Sequence, residues 1–202
     1  MAQAQSSAVI GGLSPVQDRL ALVAIGGNIP SDAGEVIETV SKSVQQFQSV
    51  GLNIRGISGF YKTPCFPAGA GPDYINAAVA LTTGLTARET LDALHEIENS
   101  FGRQRIERWG RRTLDLDLVA YDTAVIPDRK THDHWRALPP ETQSNAAPDQ
   151  LVLPHPRLQD RAFVLIPLAD VAARWVHPVL GTTISEMLAA LPDAARAEVR
   201  KL

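Results

Sequence analysis

The amino-acid sequence predicts a protein of the α+β class, with strands and helices in the order β-α-β-β-α-β. Three observations support this prediction. Short apolar or alternating runs recur up to Tyr121, two longer stretches between them carry apolar residues at helical spacing, and glycines or capping residues separate the segments. This order is the split β-α-β, or ferredoxin-like, arrangement. We therefore expect an antiparallel sheet with helices packed on it and C-terminal additions.

The four predicted strands are bounded by residues that favour turns. They are Leu20–Ile25, Leu52–Phe60, Asn76–Thr82 and Leu114–Tyr121. The first ends before Gly26-Gly27-Asn28, which we expect to form a turn. The second contains Gly56, which predicts a β-bulge. In the third, Ala77, Val79 and Leu81 share one face.

Each of the two predicted helices has an apolar stripe, a capping pair before it and a glycine after it. The stripes run from Val36 to Phe47 and from Leu91 to Phe101. The capping pairs are Asp32 with Glu35 and Thr86 with Glu89, and the glycines are Gly51 and Gly102.

After the fourth strand the periodicity weakens. Asp128 to Gln150 is polar and contains prolines, so we expect a loop insertion at about residues 129–150. Its His132-Asp133-His134 tract could bind a metal ion, although a solvated insertion is the simpler interpretation. Two further helices are predicted, over Arg161–Ala172, with Pro167 inside it, and over Ser185–Leu191.

Composition and charge exclude several classes of protein. With 202 residues, the chain is expected to have a disordered tail at residues 1–18 and a single domain at residues 19–202. The formal net charge of −3 disfavours a nucleic-acid binder, and no apolar run approaches the ~20 residues of a membrane span. Cys65 is the only cysteine, so no internal disulfide can form. We expect a cytoplasmic monomer without nucleic-acid or membrane partners.

The most informative segment is a basic loop that leads into the fourth strand. Because side chains alternate along a strand, Asp115 and Asp117 share one face, about 7 Å apart, while leucines occupy the other. Their mutual repulsion favours positive charge nearby, such as a hard divalent cation like Mg²⁺. Four arginines lie just upstream, namely Arg103, Arg105, Arg108 and Arg112. Carboxylates, metal and arginines together indicate a polyphosphate site, whereas a half-buried strand with a wet outer face is the simpler alternative.

Six short motifs, in the same order as in one enzyme family, support a more specific interpretation. They are Ala24–Asn28, Phe60–Pro64, Asp73–Ala78, Ile97–Arg103, Arg108–Asp117 and Pro154–Phe163. The sequence resembles the 6-hydroxymethyl-7,8-dihydropterin pyrophosphokinase family over about residues 20–188. Members of that family transfer pyrophosphate from ATP to a pterin alcohol in folate biosynthesis and release AMP. The resemblance therefore implies this activity, with ATP and 6-hydroxymethyl-7,8-dihydropterin as substrates.

The resemblance also implies roles for the residues of the motifs. Asp115 and Asp117 would bind two Mg²⁺ ions that bridge the phosphates of ATP. The residues implied in catalysis are Arg103, Arg112, Asp115 and Asp117. Those implied in ATP binding are Glu98, Arg103, Arg105, Trp109, Arg112, Leu118, His155 and Arg161. Those implied in pterin binding are Thr63, Pro64, Tyr74, Asn76 and Phe163. The pterin ring would stack between Tyr74 and Phe163, and Asn76 would recognise its amide-like edge.

The sequence also shows two departures from the family pattern and leaves two other functions open. Arg111 stands where the family usually has proline, and the insertion is longer than the family's usual connection. A palm-type nucleotidyl transferase also carries paired carboxylates on a ferredoxin-like sheet, but it would release pyrophosphate. A non-catalytic ferredoxin-like ligand-binding module would not need both aspartates as metal ligands. Each implied role also has a simpler alternative: Tyr74 and Phe163 could be core aromatics, Asn76 a polar residue beside a turn and His155 a loop histidine.

Overall fold

The computed structural model describes residues 18–65, 71–102, 112–139, 142 and 147–202. The strands within these ranges are β1 Arg19–Gly27, β2 Asn53–Ile57, β3 Tyr61–Thr63, β4 Tyr74–Thr83, β5 Asp115–Tyr121 and β6 Arg200–Lys201. The α-helices within them are α1 Val36–Gln46, α2 Ala87–Ser100, α3 Arg129–Ala137, α4 Ala162–Ala172, α5 Ile184–Ala190 and α6 Asp193–Ala197. Apart from Asp18, the predicted N-terminal tail lies outside the described residues.

The strands form one antiparallel sheet with β1 and β4 at its centre. The order across the sheet is β5-β1-β4-β3-β6, and β2 also pairs with β4. Because α1 follows β1 and α2 follows β4, this is the predicted β-α-β-β-α-β arrangement, and the ferredoxin-like α+β fold is confirmed. β1 suits its central position because Leu20–Ile25 is apolar on both faces.

Helices cover both faces of the sheet. On the first face, Val23 of β1, Val79 of β4 and Leu116 of β5 pack in one apolar cluster with residues of α1 and α2. On the second face, Leu22 of β1 packs in another cluster with Leu165 and other residues of α4 and α5. Beside this second cluster, on the same face, the N-terminal parts of β4 and β5 carry polar residues. These polar residues form the candidate site.

Several local sequence signals occur where they were predicted. The hydroxyl of Thr86 accepts a hydrogen bond from the N–H of Glu89, whose carboxylate accepts one from the N–H of Thr86. Gly51 and Gly102 have φ angles of 80° and 75°, a left-handed conformation that glycine adopts without strain at helix ends. The register of β2 against β4 shifts just before Gly56, which confirms the predicted bulge.

The start of α1 differs from its prediction. Glu35 caps the helix, because its carboxylate accepts from the backbone of Glu38 while the Glu38 carboxylate accepts from the N–H of Glu35 at 3.0 Å. Asp32 instead lies in a turn that Ser31 and Gly34 close with two backbone hydrogen bonds of 3.0 Å. The capping pair is displaced along the chain because this turn occupies residues 31–34.

Strand boundaries also differ from prediction in two places. Gly26 and Gly27 continue β1 instead of forming a turn, since β4 pairs with both of them. The predicted strand Leu52–Phe60 ends at Ile57, and β3 is a separate strand. Ser58 lies between the two, where its hydroxyl accepts a hydrogen bond from the N–H of Ala78 at 2.8 Å.

The predicted loop insertion contains a helix, α3. It begins after Asp128, whose carboxylate accepts a hydrogen bond from the N–H of Thr131 at 2.9 Å. His132 is fully buried, so the interpretation of its tract as solvated is wrong at this residue. No group of three or more metal-binding side chains occurs in the described ranges, this tract included. The sequence of this helix shows no apolar stripe, because His132 is its only buried residue, and the helix could therefore not be predicted.

The C-terminal part confirms two predicted helices and adds two short elements. Pro167 lies inside α4, and α5 occupies nearly the predicted residues. The added elements are α6 and β6, and Lys201 of β6 pairs with Tyr61 of β3. A two-residue strand is too short to show a periodicity. None of the helices described here combines the length and the apolar character needed to span a membrane.

Candidate active site

Strand β5 presents its two aspartates on the face opposite to its leucines. Leu116 and Leu118 are buried in the first cluster, whereas Asp117 is exposed and Asp115 is partly exposed. Leu114, just before the strand, is also buried. The predicted alternation of leucines and aspartates is therefore confirmed.

Glu98 binds the backbone of β5 from the first face of the sheet, opposite to the aspartates. It lies on α2, is fully buried, and accepts a hydrogen bond from the N–H of Leu116 at 2.6 Å. Leu116 is the residue between the two aspartates, so Glu98 fixes the strand at the point where they project. The predicted contact between Glu98 and ATP stays a prediction.

Asn28 connects the end of β1 to the residues that precede β5. Its side-chain oxygen accepts from the N–H of Arg112 at 3.0 Å, and its own N–H donates to the Arg112 carbonyl at 3.0 Å. The guanidinium of Arg112 in turn forms an ion pair with Asp115. From the sequence, Asn28 is expected to form a turn and ends the first family motif, with no structural role assigned beyond the turn. Its position directly after a buried strand was the available signal that it holds another segment.

Gly27 allows this close approach. A Cβ at this position would lie 2.7 Å from the carbonyl oxygen of Thr113, closer than side chains pack against backbone. Any larger residue would therefore push β1 away from the segment that contains Arg112. The glycine that sequence analysis assigned to a turn is needed for strand packing.

The register of the sheet aligns both aspartates with small residues of β1 and aligns Asp115 also with Asn76 of β4. Asp117 pairs with Ala24, and Asp115 pairs with Gly26, which pairs with Asn76 on its other side. Directly paired residues project from the same face. A Cβ at position 26 would lie 3.3 Å from the side-chain oxygen of Asn76, so glycine leaves room between the two polar side chains.

Asn76, Thr63 and Tyr74 form a second polar group on this face. The amide nitrogen of Asn76 donates to the hydroxyl of Thr63 at 2.8 Å, and both side chains are buried. Tyr74 pairs with Thr63 between β4 and β3, so its ring projects from the same face. Burial raises the pKa of Tyr74, and the nearby Arg112 opposes this shift. The tyrosine therefore lies within electrostatic range of the Arg112–Asp115 pair.

The start of α4 contributes Arg161 and Phe163. The guanidinium carbon of Arg161 lies 5.8 Å from the centre of the Phe163 ring, which is 40% exposed. Burial lowers the pKa of Arg161, and Asp117 acts in the opposite direction, as expected for a cation that lies near the aspartates. An exposed phenyl ring at this place can stack on a flat ligand.

His155 and Arg161 present two donors to the same space. The Nδ1 atom of His155 accepts from the N–H of Arg157 at 3.0 Å, so the neutral ring carries its proton on Nε2. Burial, followed by the charge of Arg161, lowers the pKa of His155 to about 3. Its Nε2 lies 3.5 Å from an Nη of Arg161. Two N–H groups this close can donate to one shared acceptor, for which a phosphate oxygen is suitable.

The other predicted site residues divide into two groups. Arg103, Arg105 and Trp109 lie outside the described residues, as does Arg111. Pro64 is exposed at the end of β3, next to Thr63. The side chain of Leu118 is buried on the first face, away from the aspartates, so any contact with a nucleotide would have to come from its backbone.

Comparison with known sequences gives consistent matches over most of the chain. The family model of 7,8-dihydro-6-hydroxymethylpterin-pyrophosphokinase (HPPK) matches residues 22–173. A protein of Synechocystis sp. named 2-amino-4-hydroxy-6-hydroxymethyldihydropteridine pyrophosphokinase is 37% identical over 175 residues, which is 86% of this chain and 77% of the relative. The protein of the same name from Pseudomonas aeruginosa is 34% identical over 172 residues, covering 84% and 90% of the two chains.

Solved structures give a similar fold at low identity. The crystal structure of wild-type Plasmodium falciparum HPPK-DHPS matches with a TM-score of 0.57 and 15% identity, over 86% of this chain and 44% of that chain. The S436F/A437G/A613S triple mutant with SDX-DHP matches with a TM-score of 0.60 and 14% identity. The present chain thus spans less than half of the Plasmodium chains. At this identity the match supports the fold alone.

Proposed function

Since the chain belongs to the 7,8-dihydro-6-hydroxymethylpterin-pyrophosphokinase family, we propose that it transfers a pyrophosphoryl group from ATP to 6-hydroxymethyl-7,8-dihydropterin. The products are AMP and the pterin pyrophosphate, and the reaction is a step of folate biosynthesis. A palm-type nucleotidyl transferase and a non-catalytic ligand-binding module are not favoured, because the matching family and the relatives described above carry pyrophosphokinase names.

The proposal depends mainly on two polar groups that share one face of the sheet. Asp115 and Asp117 project from β5, and Asn76 with its partner Thr63 projects from β4 and β3. Only Gly26 of β1 separates Asp115 from Asn76 along the sheet. A phosphate chain bound at the aspartates and a heterocycle bound at the amide would therefore lie side by side, as a transfer reaction requires.

The donor set of the two aspartates suits magnesium. Mg²⁺ prefers oxygen ligands, and in nucleotide sites it commonly uses one or two carboxylates together with substrate phosphates and water. Asp117 is exposed and Asp115 partly exposed, so both can contribute oxygens to such a site. We propose that they hold two Mg²⁺ ions. When bound, these ions neutralise charge on the phosphates of ATP.

In phosphoryl transfer the protein mainly positions the substrates and stabilises the charge of the phosphates. We assign these tasks to the remaining polar groups. The hydroxymethyl oxygen attacks the β-phosphorus of ATP and loses its proton. The bond from that phosphorus to the oxygen bridging the α-phosphate breaks, and AMP leaves. Arg112, Arg161 and the Nε2–H of His155 donate to phosphate oxygens. We assign the same role to Arg103 and Arg105 by family resemblance.

The pterin occupies the other part of the face. Its ring stacks between Tyr74 and Phe163, and its amide-like edge bonds to Asn76, whose side chain offers both a donor and an acceptor. Thr63 orients Asn76 through its hydrogen bond, and Pro64 borders the ring. At the nucleotide end, Trp109 and the backbone of Leu118 complete the proposed ATP site, and Glu98 supports it from the opposite face through the N–H of Leu116.

We further propose that the enzyme acts as a cytoplasmic monomer on small molecules and does not bind nucleic acid. The formal net charge of −3 supports the absence of nucleic-acid binding. Light scattering coupled to size exclusion would test the monomer. A mass of about twice the 21.8 kDa of one chain would contradict it.

Product analysis tests the proposed reaction. The purified protein is incubated with ATP, Mg²⁺ and 6-hydroxymethyl-7,8-dihydropterin, and the nucleotides are separated by chromatography. AMP should form in step with consumption of the pterin. Release of ADP or of free pyrophosphate, or AMP formation that does not depend on the pterin, would contradict pyrophosphoryl transfer. Matched incubations without pterin and with a chelator provide the controls.

A further inference from the structure

Two histidines outside the proposed catalytic centre are buried against each other. His132 lies on α3, and His177 lies between α4 and α5; neither has any exposed surface. Their ring centres are 5.8 Å apart, with the edge of one ring toward the face of the other. The ring of Trp175 packs in the same way against His177, with centres 5.7 Å apart. These rings attach the insertion helix to the C-terminal part of the protein.

Backbone partners determine which nitrogen of each ring carries the proton. The Nδ1 of His177 accepts from the N–H groups of Val179 and Leu180, at 3.2 and 3.3 Å, so its proton is on Nε2. The Nε2 of His132 lies 3.0 Å from the carbonyl oxygen of Pro154, which can only accept. His132 therefore also carries its proton on Nε2, and its Nδ1 has a free lone pair.

The two remaining ring nitrogens are complementary. His177 offers an N–H and His132 offers a lone pair, and neither atom has a hydrogen-bond partner within the part of the chain that the structure describes. Leaving a buried donor or acceptor unsatisfied is unfavourable. The strong contact of this pair is therefore the hydrogen bond from His132 to Pro154.

Both rings are neutral at pH 7. Burial lowers the pKa of His132 and lowers that of His177 to about 4. The charged groups that act on the pair lie on α3. Arg129 and Arg136 lower the pKa of both histidines, while Asp133 raises that of His132 and forms ion pairs with both arginines at 2.7 and 3.3 Å. The tautomers derived from the backbone partners thus apply at physiological pH.

The carbonyl that His132 contacts belongs to the residue just before His155. On the other side of this segment, the N–H of His155 donates to the carbonyl of Val119 on β5 at 2.8 Å. The backbone around His155 is therefore held between β5 and the insertion helix. The ring of His155 extends from this point to Arg161.

We propose that His132 is a positioning residue for ATP binding, which acts through the Pro154 carbonyl to hold His155 beside Arg161. This inference rests on the proposed function, in which His155 and Arg161 donate to the phosphates. The insertion, longer than the family's usual connection, then has a role in nucleotide binding. The hydrogen bond from His132 to the Pro154 carbonyl transmits that role.

The test compares two replacements that imitate different nitrogens of the ring. His132→Gln keeps an N–H donor near the position of Nε2 and so retains the bond to Pro154. His132→Asn places its amide near Nδ1 and loses that bond. We expect the dissociation constant for Mg²⁺–α,β-methylene-ATP, measured by calorimetry, to rise about tenfold in His132→Asn and less than about twofold in His132→Gln. The Michaelis constant for the pterin at saturating ATP should be unchanged in both.

Equal nucleotide affinities in the two variants, or equal losses for nucleotide and pterin, would overturn the positioning role. His134→Asn, an exposed histidine on the same helix, is the matched control and should bind the analogue like the unmodified protein. Nucleotide binding is measured without turnover, so the two proposals can fail separately. If the proposed reaction is wrong, the unmodified enzyme forms no AMP. If only the positioning role is wrong, the unmodified enzyme forms AMP but the two variants bind the nucleotide equally.

If His132→Asn does not fold, imidazole nitrogen spectra of the unmodified protein at pH 7 replace it. They should show the Nε2–H form of His132, and an Nδ1–H or doubly protonated ring would overturn the proposal.

Discussion

Among single residues, the two aspartates of β5 have different surroundings. Asp115 is paired with Arg112 and is partly buried, whereas Asp117 is exposed. We expect Asp117→Asn to lower the rate of AMP formation at least about a hundredfold, because it removes one of the two carboxylates proposed to hold Mg²⁺. Its free energy of unfolding in urea should change by less than about 0.5 kcal/mol, since the side chain is on the surface.

Asp92→Asn is the matched control for this substitution. Asp92 is exposed on α2, where it forms a surface ion pair with Arg88 at 3.2 Å. Both its turnover and its stability should stay close to those of the unmodified protein. Turnover in Asp117→Asn as fast as in Asp92→Asn would contradict the metal-binding role.

The aromatic pair gives a second prediction for individual residues. Tyr74→Ala and Phe163→Ala should each weaken binding of the pterin by about two- to tenfold, because each removes one stacking surface. Binding of Mg²⁺–α,β-methylene-ATP should change less in both variants. Calorimetry with each ligand measures the two affinities separately.

Val176→Ala is the control for loss of exposed apolar surface. Val176 is 47% exposed, similar to Phe163, but it lies near the start of α5 and outside the proposed site. It should bind both ligands normally. Equal losses for nucleotide and pterin in Tyr74→Ala and Phe163→Ala would argue against stacking.

At the level of elements, the site depends on the close approach of β1 to the residues that precede β5. Gly27→Ala would place a methyl group 2.7 Å from the Thr113 carbonyl oxygen. The two segments must then move apart, which strains the hydrogen bonds between Asn28 and Arg112. We expect a loss of about 1 to 3 kcal/mol in unfolding free energy, measured in urea, together with slower AMP formation.

Gly56→Ala provides the comparison in another strand of the same sheet. A Cβ there would lie 3.5 Å from the nearest side-chain atom of Val171, an ordinary contact distance. This variant should therefore keep normal turnover and lose less stability than Gly27→Ala. The opposite order of stabilities would show that β1 and the Thr113 segment are not closely packed.

For the chain as a whole, buried neutral histidines make folding stability depend on pH. The pKa of His177 falls from its ordinary value of 6.5 to about 4, mainly through burial, with smaller contributions in the same direction from His132, Arg136 and Arg129. Below pH 6.5 the unfolded chain binds a proton that the folded chain does not, so stability is complete above this pH and falls as the pH decreases toward 4. Each such histidine contributes a slope of up to about 1.4 kcal/mol per pH unit.

Urea denaturation at pH 7.5, 6.5 and 5.5 measures this slope. Over this window most carboxylates stay ionised, so the histidines dominate the change. His177→Asn keeps an acceptor for the N–H groups of Val179 and Leu180 but cannot be protonated in this range. Its stability should fall less steeply with decreasing pH than that of the unmodified protein. Equal slopes would show that His177 does not remain neutral in the folded state.

Much of the site follows from short stretches of sequence. The alternation of Leu and Asp in β5 predicted both the buried and the exposed face of that strand, because neighbouring side chains in a strand point in opposite directions. Capping at Thr86 and the helix-ending glycines were also recognisable, since those interactions join residues within one turn. The same local reasoning misjudged Gly27, whose importance depends on Thr113 in a distant part of the chain.

The order of strands and helices, the carboxylate pair and the family of the chain could thus be obtained without coordinates, because periodicity, capping and motif order are recorded locally. Three-dimensional packing was needed to place Asn28 on Arg112, 84 residues away, and to bury His132 against Pro154 and His177. Such contacts depend on how the sheet register and the helix layers bring distant segments together. No periodicity within either segment records them, which is why a polar insertion was mistaken for a solvated loop.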